Sequence, residues 1–374
     1  SNFVEKVYLV TALGSHVLDQ NYCKKNLNSN VSLKKIIIIG AGAMGSAFAV
    51  PCVENKNDVT IIGTHLEDNL IKDIISNDHY HPGLKTKLPK EIKFVQFNEL
   101  QPLLEKDLDL IVAGISSIGI EWFVKQISKS YKKKLPIVLL TKGLSIVDNE
   151  LSTLSDKIKN LLEKDGHSEI NISAIKGPCL AAGLANKMRT GTVIANRDIK
   201  ECQLLKNMIS TNYYSTEISE DITGVELSGA IKNIYSMLIG ASEGLSNSKA
   251  TKEIQSKYFL NTAASLIHRS ISEMVEFVSH YGGKPDTVYG LAGLGDLYVS
   301  AIGGRNSLMG RYLGEGYLYS EAKEKFMKNV TVEGAQLALE IGPRILEDLN
   351  GKNFPLMFSM LNTICENKKL EINW

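Results

Sequence analysis

The chain has 374 residues, long enough for two domains, because a single hydrophobic core rarely grows past roughly 250 residues. Its 42 basic and 41 acidic residues leave a formal charge of +1, which argues against nucleic acid or a membrane surface as partner and makes any attraction for an anion local. Five cysteines, widely spaced and without a CxxC pair, fit neither a disulfide framework nor a structural zinc site, so no metal is expected.

Residues 1–33 form an N-terminal extension. Glu5 and Lys6 sit against its apolar stretch and no convincing cleavage site follows, so an arm or tail is expected rather than a secretory signal. From Lys34 the text "KKIIIIGAGAMGSAFA" runs a β-branched strand into Gly40-Ala41-Gly42-Ala43-Met44-Gly45 and then into small apolar residues at helical spacing. A second strand follows at Asp58–Gly63, then polar helical text to about Asn77, then the proline-bearing loop "HYHPGLKTKLPKEIKFV". The runs "LDLIVAGIS", "LPIVLLTKGL", "NISAIKGP" and "RTGTVIA" are further short strands separated by helix-length segments. Such alternation predicts an α/β fold: a Rossmann-type, doubly wound, mostly parallel sheet over residues 34–222. Beyond about Thr223 the apolar residues recur at three-four spacing and strands cease, so residues 223–374 read as an all-helical C-terminal domain. Within it, the polar run Ser246–Lys257 reads as a surface loop or a helix extension. The apolar runs fall short of the ~20 residues a spanning helix needs.

Three features carry chemistry. The first is the glycine triplet. Gly40 permits a tight turn, Gly42 lets a pyrophosphate approach the backbone, and Gly45 lets helix pack on strand, while the helix N-terminus offers free N–H groups to the diphosphate. At the end of the second strand, where an acid would hold ribose hydroxyls, the text is Gly63-Thr64-His65; no acid repels a 2′-phosphate and no arginine attracts one. NAD is the expected cofactor, with NADP left open. The second feature is a pair of lysines in apolar company, Lys142 in "LLTKGLS" and Lys232 in "GVELSGAIKNIYSM". Either could snorkel to water, but Lys232 lies mid-helix among small and apolar neighbours, where desolvation would suit it to proton transfer. The third is "GLAGLGDLYVSAIGGRNSLMGRYLG", Gly290–Gly314, whose glycines and Arg305 fit close approach to a small anion better than a hinge.

These blocks resemble the soluble NAD(P)-dependent glycerol-3-phosphate dehydrogenases from about Lys34 to near the C-terminus: "GAGAMGSAFA", "LTKGLS", "KGPCLA", "GVELSGAIKNIYSMLIGASEGL", "GLAGLGDL", "GGRN" and "VEGAQ" stand in the family's order. The resemblance implies reversible hydride transfer between a nicotinamide cofactor and dihydroxyacetone phosphate, giving sn-glycerol 3-phosphate and linking glycolysis to glycerolipid precursors. It implies Lys232 as general acid in reduction and base in oxidation, with Lys142 and Asp296 beside it. Substrate would be held by Lys142, Gly177, Cys179, Asp296, Ser300, Gly304, Arg305 and Asn306. The cofactor would meet Gly40, Gly42, Ala43, Met44, Gly45, Lys142, Ala181, Arg305 and Glu333. Cys179 reads as a small packing residue, since hydride transfer needs no covalent intermediate. A cytoplasmic homodimer is expected, with neither nucleic acid nor membrane as partner.

Some positions depart from the family. Ser300 stands where eukaryotic members tend to carry Thr, Glu243 stands where "DGL" is usual, and the segment Ser246–Leu260 is longer and more polar than the common link. Two other readings remain at this level: a β-hydroxyacid or ketopantoate-type dehydrogenase, which binds a carboxylate, and a catalytically silent dinucleotide-binding regulator. The GGRN turn weighs against the first and the intact Lys142, Lys232, Asp296 and Arg305 against the second.

Overall fold

Four consecutive isoleucines set the architecture. Successive side chains of a strand point to opposite faces, and in β1 (Lys35–Ile39) Ile36 and Ile38 enter one buried cluster while Ile37 and Ile39 enter another. A strand that is apolar on both faces needs cover on both, which is the doubly wound arrangement. The computed structural model of the chain describes residues 33–247 and 252–373; apart from Leu33, the arm expected at 1–33 lies outside the described residues.

The chain runs β1, α1 (Ala43–Glu54), β2 (Asp58–Ile62), α2 (Asp68–Ser76), a hairpin of β3 (Tyr80–His81) and β4 (Thr86–Lys87), β5 (Lys93–Val95), α3 (Leu100–Leu104), β6 (Leu110–Ala113), α4 (Ile120–Ser128) and β7 (Pro136–Leu139). A second hairpin, β8 (Leu144–Val147) with β9 (Glu150–Thr153), precedes α5 (Leu154–Lys164), β10 (Asn171–Lys176), α6 (Ala181–Ala185), β11 (Thr190–Ala195), α7 (Ile199–Ile209) and β12 (Tyr214–Ser219). Eight strands form one sheet in the order β12-β11-β10-β7-β6-β1-β2-β5, parallel except where β11 runs against β10. The stretch read as a proline-bearing loop contains the β3–β4 hairpin and the edge strand β5. Two- and three-residue strands are too short for a period-2 pattern to register, and of β5 only Phe94 is buried.

The helical domain is built around α8 (Ile222–Asn247), followed by α9 (Lys252–His280), a π-turn at Leu291–Gly295, α10 (Asp296–Gly303), α11 (Arg305–Gly314), α12 (Tyr319–Phe326), α13 (Glu333–Asp348) and α14 (Pro355–Cys365). The polar run after Ser246 extends α8 and opens α9, and its residues 248–251 lie outside the described ones. Helix α8 is buried on nearly every side, as a helix apolar all round must be. Among the described residues no helix is long and apolar enough to cross a membrane.

Glycine lets α8 and α11 touch backbone to backbone. A Cβ on Gly310 would stand 1.8 Å from the Met237 carbonyl oxygen, and one on Gly240 2.2 Å from that of Ser307. Helix α11 opens with Arg305, so this contact also fixes the rim of the cleft described below. Gly310→Ala should therefore lower unfolding stability by about 3 kcal/mol or more, the upper range for overpacking. Urea denaturation checks this; a loss below about 1 kcal/mol would mean the helices part without cost.

Candidate active site

The strand ends build the floor of a cleft. In a parallel sheet the loops leaving the carboxyl ends converge where strand order reverses, and here the segments after β1, β6, β7 and β10 open onto a cavity of about 750 Å³ whose far wall is α8, α10, α11 and the start of α13. Ala43, Met44, Lys142, Cys179, Ala181, Lys232, Asp296, Ser300, Gly304, Arg305, Asn306 and Glu333 line it. Gly40, Gly42, Gly45 and Gly177 do not reach the wall and act from behind it. Gly40 has φ +109°, and a Cβ there would stand 2.4 Å from the Gly114 carbonyl oxygen; one on Gly45 would stand 2.5 Å from that of Gly40. Gly177 faces Thr192 of β11, whose Cα lies 3.0 Å from where its Cβ would be.

The turn between β1 and α1 is held at one residue, Ala41. The Ala41 N–H donates to Glu67 Oε2 at 3.0 Å, and the same oxygen accepts the Thr64 N–H at 2.8 Å. The Ala41 carbonyl accepts from Ser46 Oγ at 3.0 Å and lies 2.9 Å from His81 Nε2. Since His81 Nδ1 accepts the Leu84 N–H, the proton of this imidazole belongs on Nε2, facing Ala41. The strand end "GTH" has no acid of its own, and the carboxylate that reaches the turn comes from further along the chain. Glu67, four residues past Gly63, swings its carboxylate back to the glycine turn, which a search confined to the strand end misses. No side chain caps α1 at Gly42, and a Cβ there would meet nothing nearer than Glu67 Oε1 at 3.9 Å. An uncapped helix N-terminus with open space in front fits a diphosphate.

At the cleft floor, residues distant in sequence converge. Asp296, the first residue of α10, accepts from Lys142 Nζ at 2.6 Å on one oxygen and from Lys232 Nζ at 2.9 Å on the other. Lys232 also donates to Ser300 Oγ, one turn along α10. The Lys232 and Asp296 side chains are each 3% exposed, whereas that of Lys142 is 21% exposed, so Lys142 is the one of the pair closer to solvent. Burial, and then the Lys142 charge, push the Lys232 ammonium down to about 8 against the pull of Asp296. For Lys142 burial again works downward, but the Asp296 carboxylate, through space and through the short hydrogen bond, outweighs it and the net shift is upward. One carboxylate thus holds two ammonium groups of unequal proton affinity.

The rim is different in kind. Gly304 caps α11 with extended backbone and no side-chain hydrogen bond. Arg305 pairs with Glu333 of α13 at 3.1 Å, and both are about half exposed. Asn306 also makes two hydrogen bonds within the protein: its amide donates to Asn233 Oδ1 at 2.9 Å and its carbonyl oxygen accepts the Gly334 N–H at 2.8 Å. It ties α8, α11 and α13 together. Burial pushes the Cys179 thiol up to about 11, which leaves it un-ionised at neutral pH, in keeping with a packing residue.

Asn233, buried on the cleft wall next to Lys232, is absent from the sequence-based set. A second polar residue in an otherwise apolar helical pattern was the available signal. Lys176 also escaped notice, because nothing in "SAIKGP" distinguishes a strand-end lysine that snorkels from one that is 2% exposed.

The model of the NAD-dependent glycerol-3-phosphate dehydrogenase N-terminus matches residues 35–202 and that of the C-terminus matches residues 221–372. The NADP(+)-dependent glycerol-3-phosphate dehydrogenase of Archaeoglobus fulgidus is 33% identical over 338 residues, covering 90% of this chain and 96% of its own. The glycerol-3-phosphate dehydrogenase [NAD(P)+] of Mesoplasma florum is 31% identical over 88% of this chain and 94% of its own. Among solved structures, the glycerol-3-phosphate dehydrogenase of Coxiella burnetii superposes with a TM-score of 0.74 at 25% identity, over 90% of this chain and 96% of that one.

Proposed function

The chain belongs to the NAD-dependent glycerol-3-phosphate dehydrogenase family, and from that premise we propose that it catalyses the reversible reduction of dihydroxyacetone phosphate to sn-glycerol 3-phosphate with NAD or NADP as the redox partner. The observation that carries this reading is the Lys142–Asp296–Lys232 group at the floor of a cleft. It has an uncapped glycine turn behind one wall and an uncapped helix N-terminus with an arginine on the other. Residues 34–222 supply the cofactor side, and residues 223–374 supply Lys232, Asp296 and the anion-binding rim.

The dinucleotide, when bound, supplies hydride to C2 of the ketone. Lys232 gives its Nζ proton to the C2 oxygen as the alkoxide develops, and takes it back in the oxidative direction. Asp296 holds that ammonium in place. Lys142, 2.6 Å from the same carboxylate, keeps a positive charge next to the growing negative one. Arg305 and the free N–H groups at the start of α11 receive the phosphate. The balance is one ketone, one reduced nicotinamide and one proton giving one alcohol and one oxidised nicotinamide. For assembly and location our proposal is a homodimer in the cytoplasm.

The test is an assay of NADH oxidation with dihydroxyacetone phosphate and, in parallel, with ketopantoate, repeated with NADPH. Turnover of ketopantoate alone would sink this reading in favour of a carboxylate substrate. A pH dependence follows from Lys232. The reductive reaction needs its protonated form, so kcat/KM for reduction should fall as pH rises through about 8, while the oxidative reaction should gain over the same range. Rate profiles in both directions check the sign, and a reductive profile that rises across this range would exclude Lys232 as the acid.

A further inference from the structure

Lys176, the last residue of β10, is a buried titratable group that the mechanism above does not use. Its side chain is fully enclosed. The Nζ donates to the Leu139 carbonyl at 3.2 Å, and Leu139 ends β7 three residues before Lys142. The stem lies on α8: a Cβ on Gly229 would stand 3.2 Å from both Lys176 Cγ and Cδ, and Gly229 is one turn before Lys232. A turn further back, the buried Glu226 faces the ammonium through space. Glu226 is itself anchored by the Ser155 N–H at 3.1 Å and by the Ser155 hydroxyl at the start of α5.

We propose that Lys176 is a positioning residue for the reaction: it holds the ends of β7 and β10 against helix α8 at the spacing that brings Lys142, Asp296 and Lys232 together. The inference rests on the activity proposed above. An ammonium has three donors, and among the described residues only one meets an acceptor, so the group is costly to bury and a weak source of stability. A methionine of similar length would fill the same space. What the lysine adds is direction and charge. Its hydrogen bond fixes β7 to β10 at the point where both strands feed the cleft, and its stem sets the height of α8 one turn from Lys232. The charged groups that face it are Glu226 from α8, Lys142 from the segment after β7 and Asp296 from α10. With Lys176 and Lys232 they make a cluster of three lysines and two carboxylates beneath a site that receives an anion.

The experiment compares wild-type protein with Lys176→Met and with Lys176→Met/Glu226→Gln, which leaves no unpaired buried carboxylate. In both variants kcat for dihydroxyacetone phosphate reduction should fall about 10- to 100-fold, the scale for a displaced catalytic group. NADH affinity should stay within a few-fold because the glycine turn is untouched. In Lys176→Met the alkaline limb of kcat/KM should move to higher pH, since removing a cation lets the remaining lysines keep their protons longer. A purely structural residue would not move that limb in a defined direction. If the single variant does not fold, the charge-balanced double variant decides by its kcat. Wild-type kcat in the double variant, or kcat and NADH affinity falling together with the melting temperature, would overturn the proposal. Titration of the lysine ammonium groups by nitrogen-15 NMR in the cofactor-free protein gives a readout independent of turnover. Wild-type protein that leaves dihydroxyacetone phosphate unreduced would defeat the activity reading alone, and an unchanged lysine titration in Lys176→Met would defeat this one.

Discussion

Lys232→Ala should lower kcat for dihydroxyacetone phosphate reduction by about 10³-fold, within the range that general acid catalysis contributes. The fold should survive the change. Asp296 keeps Lys142 at 2.6 Å, so the substitution leaves no unpaired buried carboxylate, the usual reason such variants collapse. Ser300 loses a donor, but a hydroxyl can turn to another partner or to water entering the space the side chain vacates. NADH affinity should stay within a few-fold, because Ala41, which shapes the dinucleotide turn, is held by Glu67, Ser46 and His81, none of which touches Lys232. Loss confined to kcat marks an interaction made in the transition state. The vacated space should admit a small primary amine, and methylamine should restore part of the rate. Lys142→Ala serves as the comparison. Should Lys142 be the proton donor, its loss would be the larger of the two and amine rescue would appear there; near-normal turnover in Lys232→Ala would remove Lys232 from the chemistry.

Local patterns were the legible part of this molecule. Ile36–Ile39 followed by Gly40, Gly42 and Gly45 is a contiguous signal, because each residue's reason for being there lies within one turn or one neighbouring strand. The isoleucines appear where the pattern puts them, divided between the two faces of the sheet. Lys232 stood out because a cation interrupts an apolar helical repeat. What the pattern could not give is which groups meet. Lys232 and Asp296 are 64 positions apart and Lys142 and Asp296 are 154 apart, so their convergence is a product of topology, and only the family resemblance anticipated it.

The residues that sequence reasoning missed share a cause. Glu67 sits in polar text at the start of a surface helix, and its carboxylate matters only because the chain turns it back onto Ala41. His81 lies in a stretch read as a loop, yet it is 2% exposed and faces the same residue. Lys176 and Glu226 are charged residues that burial alone makes informative. For all four the sequence carries the residue type while the tertiary structure carries the meaning. Asn306 is a different case. The family resemblance puts it with Arg305 on the substrate; what the text of "GGRN" does not carry is that one amide proton and the carbonyl oxygen are engaged by Asn233 and Gly334, a tie between α8, α11 and α13.

Arg305→Ala should raise KM for dihydroxyacetone phosphate about 10- to 100-fold with kcat less affected, the loss expected for a hydrogen bond to a charged group. Two effects act in the same direction. The guanidinium is lost, and Glu333, now 3.1 Å from the Arg305 Nη2, is left as an unpaired carboxylate at the rim the phosphate must approach. The second effect can be separated from the first. Arg305→Ala/Glu333→Gln should recover part of the lost affinity, whereas Glu333→Gln alone should weaken phosphate binding little, since the arginine is then free of its partner. Arg305→Lys keeps the charge without the planar fork and should fall between wild type and alanine. Unphosphorylated dihydroxyacetone supplies the control: its turnover should be nearly the same in wild type and Arg305→Ala, because neither effect concerns the reacting carbonyl. Equal KM for dihydroxyacetone phosphate in wild type and Arg305→Ala would place the phosphate on the backbone N–H groups of α11 alone and take the arginine out of the site.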